Sequence, residues 1–288
     1  TESVSVPGVD DPLRCPTTGS SIDCVTQFTT TIGGNPSLKP ETSKNYTLGA
    51  IWEPTNQLSF GIDAWWIDIE DTILITGISV PTILADLGRF GSLVTRGPAD
   101  PAFPGLPGPI TNIQQTAINQ GDTSVSGIDF NASWRSPKTD FGLFNVNLNA
   151  TYYTKYDITL PDGTVVEAVG TLAVDTPTAG PIPKWKTYLT LNWQYGPWGA
   201  TLANRYQKGY RDTDGNASAV VPGDPGYEPH MVSSYTTWDL QGSWSGYQGL
   251  TAILGVRNLF DKKPPYTNAA SSTGQFQAGY DITSVDVH

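Results

Sequence analysis

Residues 184–210 read KWKTYLTLNWQYGPWGATLANRYQKGY, and this stretch decides the fold. Trp185, Leu189, Leu191 and Trp193 alternate with Lys186 and Asn192; after the turn at Tyr195-Gly196-Pro197, Trp198, Ala200, Leu202 and Tyr206 take one parity and Arg205 the other. Successive side chains of a strand point to opposite faces, so the stretch is a hairpin with one dry and one wet side. The same alternation recurs on both sides of it, predicting eight strands near residues 43–53, 57–70, 123–135, 141–157, 184–194, 198–210, 234–244 and 250–259. The dry parity carries Tyr46, Leu48, Trp52, Phe60, Ile62, Trp66, Phe130, Trp134, Val146, Leu148, Trp238, Leu240 and Leu254. The wet parity carries Asn45, Asp63, Asp129, Asn131, Asn145, Asn147, Asn149, Asp239 and Arg257. All 23 prolines fall outside these spans, as a hydrogen-bonded ladder requires.

Composition agrees and removes other classes. Of 288 residues only 15% are charged, and 16 Lys+Arg stand against 27 Asp+Glu, a net charge of −11 that argues against nucleic acid as a partner. Thirty glycines beside nine tryptophans and thirteen tyrosines suit an all-β chain, and the aromatic load is too high for a disordered one. No apolar run of about 18 residues is present to form a membrane helix, and the N-terminal TESVSVPGVDD does not read as a signal peptide. The start at Thr1 suggests that an upstream portion is missing. Cys15 and Cys24 lie in a Pro/Gly/Ser-rich stretch with no histidine nearby, which is poor for zinc and good for a small loop disulfide formed in an oxidising compartment.

The connections decide what the dry face meets. Short turns (EPT, SPKTD, YGP, SGYQG) alternate strictly with long segments (71–122, 158–183, 211–233 and 260 onward), the asymmetry of outer-membrane barrels. Trp52, Trp134, Trp193, Trp198 and Trp244 gather at the short-turn ends. Trp185 and Trp193, or Trp198 and Tyr206, stand eight residues apart, roughly 20 Å of height on a tilted strand, which approaches the separation of two aromatic girdles. The N-terminal 42 residues and the long segments hold 19 acidic and 7 basic residues, so the acidity belongs to the loops. Strands that cross a bilayer must close into a ring, and eight of them with one lipid-facing side are expected to be part of a larger one.

Against this background NPSLKPETS at 35–43 resembles a signature of TonB-dependent outer-membrane receptors, leading from an outer loop into a barrel strand. SFGIDAWWIDIEDTI at 59–73, SVSGIDFNASW at 124–134 and GVRNLFDKKPPY at 255–266 follow in the expected order, and the resemblance covers the chain from about residue 35 onward. It implies an antiparallel transmembrane β-barrel fragment, about eight strands of a 22-stranded barrel. Residues 1–42 would form an extracellular loop region with the disulfide, and residues 43–288 the C-terminal part of the barrel, with the plug domain and last strand absent. It further implies a location in the outer membrane of a Gram-negative bacterium, among lipid and lipopolysaccharide. The expected function is energy-coupled uptake of a scarce solute of siderophore, cobalamin, glycan or peptide type, with the chain's own N-terminal plug and the TonB complex as partners. A passive porin and a secreted glycan-binding β domain are the competing readings.

No catalytic, cofactor or metal site is expected. His230 and His288 are the only histidines, and no hydrolase or phosphate-loop motif accompanies them. Asp63, Asp68 and Glu70 are scattered carboxylates, and Asp63 more simply faces a wet interior. RDTDGNAS at 211–218 has Gly215 at the wrong position for a calcium loop and Gly223 where its last acidic ligand belongs, so it reads as a turn, as do Asp162 and Gly163. Lys184, Lys186, Arg205 and Arg257 are read as lumen-facing cations that brace the plug or guide a ligand; no ligand-contacting residue is singled out. The segment 71–122, with PTILADLGRFG and the Pro/Gly run 98–109, is either an outer lid or a passive loop.

Overall fold

An extended backbone leaves a row of N–H and C=O groups on each edge, and the alternating segments satisfy one another in chain order. The structure, a computed structural model, describes residues 2–4, 8–74, 78, 80–159, 163–173, 180–212, 230–267, 276–277 and 280–281. Eight long strands run Thr42–Thr55 (β1), Leu58–Leu74 (β2), Ile118–Arg135 (β3), Leu143–Thr159 (β4), Trp185–Tyr195 (β5), Trp198–Gln207 (β6), Tyr235–Tyr247 (β7) and Leu250–Val256 (β8). They pair as one sheet in the order β1 to β8, with the short strand Val165–Glu167 added beside β4. Each predicted strand is present. The edge strand β1 extends two residues beyond the expected span and includes Pro54 near its end, an edge position that tolerates proline. β6 stops at Gln207, and Tyr210–Arg211 pairs separately with Met231–Val232.

The chain divides into two compact units, the first comprising residues 1–43, 69–122 and 159–165 and the second residues 44–68, 123–158 and 166–288. In the second, register sorts the two faces. Val256, Leu240, Leu202, Leu191, Val146 and Trp134 stand side by side across six strands on the dry face. Thr237, Arg205, Tyr188, Asn149 and Asn131 form a matching row on the wet one. Among the described residues, no protein layer covers the dry face: Leu48 is 72% exposed and Leu254 80%, and Ile62, Trp66, Trp134, Trp198 and Leu240 are also exposed. Among the described residues of the eight strands, the buried apolar side chains are Ala150, Ile158, Ala203 and Tyr235, which do not make a sandwich core.

After Val256 the chain leaves the sheet at Asn258, whose φ of +48° suits asparagine better than a branched residue. Its N–H donates to Asp239 Oδ1 at 2.8 Å, its amide nitrogen to the carbonyl of Lys262 at 3.0 Å, and its amide oxygen accepts from Lys262 N at 2.9 Å. The Asn-Leu-Phe-Asp stretch is thus a hydrogen-bonded strand terminator.

The first unit has a core of its own. Phe28, Ile78, Val80, Ile83, Leu84, Phe90 and Ile113 cluster, fully or nearly buried, from segments that the sequence presents as loop. Ile113 lies in a four-stranded sheet, in the order Glu2–Val4, Thr29–Gly33, Ile110–Thr116 and Val94–Arg96; Phe28 directly precedes its second strand, Ile78 precedes the helix Val80–Ala85 that carries Val80, Ile83 and Leu84, and Phe90 ends the helix Leu87–Phe90. Asp86 caps the second helix by accepting from Arg89 N. The Asn-Pro-Ser-Leu-Lys-Pro-Glu run is built in through hydrogen bonds. Asn35 Oδ1 takes Ser37 N at 2.9 Å, Lys39 exchanges two 2.9 Å bonds with the Asn119 amide, and Glu41 Oε1 accepts from Ile73 N at 2.6 Å.

Candidate functional site

The wet face of the second unit concentrates chemistry where β2 to β7 run side by side. Asp129, Thr151, Lys186, Gln207 and Tyr235 make one cross-strand row and Asn131, Asn149, Tyr188, Arg205 and Thr237 the next. With Asp63 they line an open concavity of about 740 Å³. Close strand approach is secured by glycine: a Cβ on Gly49 would collide with the Asp63 carboxylate, and one on Gly61 would stand 2.5 Å from the Asn131 side-chain oxygen. Bare backbone at these two points lets polar side chains lie over the neighbouring strand.

Neighbours fix the polar groups. Thr151 Oγ1 donates to Asp129 Oδ1 at 2.7 Å, Thr201 Oγ1 to Asn192 Oδ1 at 2.8 Å, and Ser124 Oγ to Asp68 Oδ1 at 2.8 Å. The Arg205 guanidinium lies 3.6 Å from Asp239 and 5.8 Å from the centre of the Tyr188 ring, combining an ion pair with a cation–π contact. Acid, base, amide and phenol side chains therefore converge on one surface, which suits hydrogen bonding to a polar body in the lumen. Nearer the long connections, Trp65 packs edge-on to Tyr153 at 5.7 Å beneath Gly127.

Of the cations picked out by sequence, Lys186 and Arg205 lie in this concavity, and Arg257 follows β8. Lys184, just ahead of β5, has its ammonium 5.3 Å from the centre of the Tyr152 ring and lines another concavity with Thr154, Asp157, Glu167 and Arg211. Gly215, Gly223, Asp162 and His288 lie outside the described residues. Asp63, Asp68 and Glu70 all sit on strand β2, with Asp68 accepting from the Ser124 hydroxyl.

A cluster that sequence reading missed joins three distant segments. Asp212, fully buried, accepts from Thr267 Oγ1 at 2.8 and 2.9 Å and lies 2.9 Å from His230 Nδ1. With the Thr267 hydroxyl donating to the carboxylate, the group ties the three segments together as a clamp. Contacts across 55 residues leave no local signature.

In the first unit, Cys15 and Cys24 form the disulfide, with S–S 2.10 Å. Beside it the buried Arg14 donates from Nε to Asp23 Oδ1 at 2.9 Å and from Nη1 to the carbonyl of Pro107 at 2.8 Å. Arg96 grips Asp11 with bonds of 2.6 and 3.0 Å and reaches the carbonyl of Gly108. Burial would raise the Asp23 carboxyl, but hydrogen bonds from Arg14 and Thr18 and the charges of Arg14 and Arg96 outweigh it and hold its pKa below the ordinary value. The hydrogen bond to Asp23, against the opposing effect of burial, raises that of Arg14.

A sheet with an uncovered apolar face, a polar opposite face and strict alternation of short and long connections is the wall of a transmembrane β-barrel. The family model described as TonB dependent receptor-like, beta-barrel matches residues 8–259, and the chain belongs to this family of Gram-negative outer-membrane proteins. The family is one of receptors and transporters and not of enzymes. Among solved structures, the chain resembles a mutant ferric enterobactin receptor from Pseudomonas aeruginosa in complex with enterobactin, with 20% identity and a TM-score of 0.57 over 89% of this chain and 31% of that one. The siderophore receptor PirA from Acinetobacter baumannii shows 16% identity and a TM-score of 0.56 over 93% and 33%. The FrpB iron transporter from Neisseria meningitidis shows 14% and 0.53 over 84% and 30%. Such identities speak for the fold, and the chain spans about 30% of the length of these structures. Among curated proteins, none matches the chain.

Proposed function

We propose that this chain is part of a receptor that captures a scarce solute at the cell surface and passes it inward by energy-coupled import. The observation that supports it best is the two-faced sheet, bare and apolar on one side and lined by Asp63, Asp129, Lys186, Tyr188 and Arg205 on the other, within a receptor family. In this reading residues 1–42 belong to the outer loops and residues 43–288 to the barrel wall with its loops. The polar face meets a plug domain, and the TonB complex supplies energy through that plug. An iron–siderophore is the favoured solute, because the three similar structures carry enterobactin, siderophore or iron in their names. A deletion strain supplied with single iron–siderophore, cobalamin, glycan or peptide sources tests this. Loss of growth on a siderophore, restored by the gene in trans, is the expected result. A defect confined to another source reassigns the solute, and unimpaired growth on all of them refutes the uptake reading.

A further inference from the structure

Toward the short turns the wet face changes character. Arg135, Asn145, Asn192, Thr201 and Gln241 stand side by side from β3 to β7, and Gln194, Gly199 and Ser243 form the next row on β5 to β7. They line an open hollow of about 460 Å³, in which Arg135 is the one charged residue among the described ones. Arg135 and Asn145 also border a second hollow, of about 540 Å³, where the carboxylate is that of Glu53, two strands away on β1. The Arg135 side chain is exposed, and among the described residues no carboxylate pairs with it. Further from the turns the charges are already met: Lys186 and Arg205 share their concavity with Asp63 and Asp129, and Arg205 lies 3.6 Å from Asp239.

We infer that Arg135, with the amide row beside it, is a release-side contact for an anionic iron chelate on its way to the periplasm. The inference rests on the uptake reading and adds to it the charge of the solute. The argument is one of charge and position. Catecholate and carboxylate chelates of iron(III) carry more negative oxygen than the metal neutralises, and a guanidinium presents a planar fork of donors to such oxygens. Asn145, Asn192 and Gln241 donate and accept without adding charge, so they solvate the rest of a polar body and leave its attraction to one cation. A single cation suits a place of passage, where binding must be favourable enough to enter and weak enough to leave. The floor is shallow there, since a Cβ on Gly199 would stand 2.6 Å from Ser243 Oγ. Arg135 lies four residues along β3 from Asn131 of the larger concavity, roughly 10 Å in height, so a solute moves from the mixed-charge surface to the singly charged one. Short turns mark the periplasmic end of such a barrel.

The test uses the full-length receptor in a strain lacking every other iron-chelate receptor. The probes are radiolabelled iron carried by enterobactin or citrate, both anionic chelates, and by a neutral trihydroxamate. A hydrogen bond to a charged group is lost in R135Q, which should slow import of the anionic chelate that wild type carries by about tenfold. Binding of that chelate to the surface of de-energised cells should stay as in wild type. Gln241→Glu puts a carboxylate into the same row, about 19 Å from Arg135 along the sheet and too far to pair with it, and should slow import likewise. K138Q, in the short turn after β3, is the control and should import as wild type. Import by R135Q within twofold of wild type overturns the inference, as does import of the neutral chelate alone by wild type. So does a lowered thermal midpoint of purified R135Q without chelate, which would assign Arg135 to holding the plug. Import of none of the three chelates by wild type refutes the iron-uptake reading, and this inference with it.

Discussion

Replacing Leu202 by arginine measures directly what the dry face touches. Leu202 pairs with Leu191 on one side and Leu240 on the other, and it stands four residues from Trp198 and four from Tyr206. At about 3.3 Å per residue and a tilt near 40°, each girdle is roughly 10 Å away in height, which puts Leu202 near the bilayer midplane. Arginine there should cost about 2–4 kcal/mol, or roughly 30- to 900-fold in the folding equilibrium. Ala252 shares the face but lies opposite Trp244 at girdle height, and Ala252→Arg should cost about 0–1 kcal/mol. Gln241, one position from Leu240 but on the wet face and exposed, should accept arginine within about 0.5 kcal/mol. The assay is denaturant unfolding of the full-length receptor in phospholipid vesicles, followed by tryptophan fluorescence. A packed protein core would penalise Leu202→Arg and Ala252→Arg alike, because either buries an unpaired charge. Equal costs at the two positions, or none at Leu202, would falsify the lipid-facing assignment.

The disulfide closes a loop of about ten residues, so Cys15→Ser with Cys24→Ser should lower the stability of the first unit by about 2.7 kcal/mol in the chain-entropy model. Alkylation of the native protein without reductant should leave both cysteines unmodified, and ready labelling would contradict the bond. Because the Asp23 carboxyl is held below its ordinary value near 3.8, the pair with Arg14 stabilises the fold above that pH. That contribution is lost as the pH falls through the lower folded value; amide protection over residues 11–24 should hold down to about pH 4 and fail below it, and a loss beginning near neutrality would assign it to another group. On Gly127 a Cβ would meet Trp65 Cζ2 at 2.5 Å and the Tyr152 carbonyl at 2.9 Å, so Gly127→Ala should cost about 1–3 kcal/mol. Part of that should return in the double variant with Trp65→Phe, and a neutral single variant would show that the ring is free to move.

The sheet was legible because a strand with a different solvent on each face writes its period into the chain: Trp185, Leu189, Leu191 and Trp193 cannot share a face in any other way. Two strand ends escaped because β6 stops at Gln207 and β8 at Val256, where the partner and not the residue type decides. Of the first unit only the disulfide between Cys15 and Cys24 was legible, and its core was not. Ile83, Phe28 and Ile113 come from distant segments, too short individually to show a period, and become a core only through long-range pairing. The Pro/Gly run 98–109 gave no sign that its carbonyls at Pro107 and Gly108 would accept from the buried Arg14 and the half-buried Arg96. The wet face lay between these cases: parity placed Lys186, Arg205 and Asp129 on it, but only register brought them into neighbouring rows.

The two units solve the same thermodynamic problem in different solvents. Ordering a residue costs conformational entropy that burial of apolar surface must offset. The first unit does so in the ordinary way, with a core of seven buried side chains, a covalent cross-link and two arginines whose charges are met by carboxylates and backbone oxygens. The second leaves Leu48, Leu240 and Leu254 exposed, with no protein layer over them among the described residues, so the apolar medium that rewards its strands must be supplied from outside. Its specificity then cannot reside in the packing of the dry face, since hydrocarbon accepts any apolar side chain of about the right size. It resides in the ladder, in the girdle residues that fix height, and in wet-face contacts such as Thr151 with Asp129 and Arg205 with Asp239, where direction and charge matter.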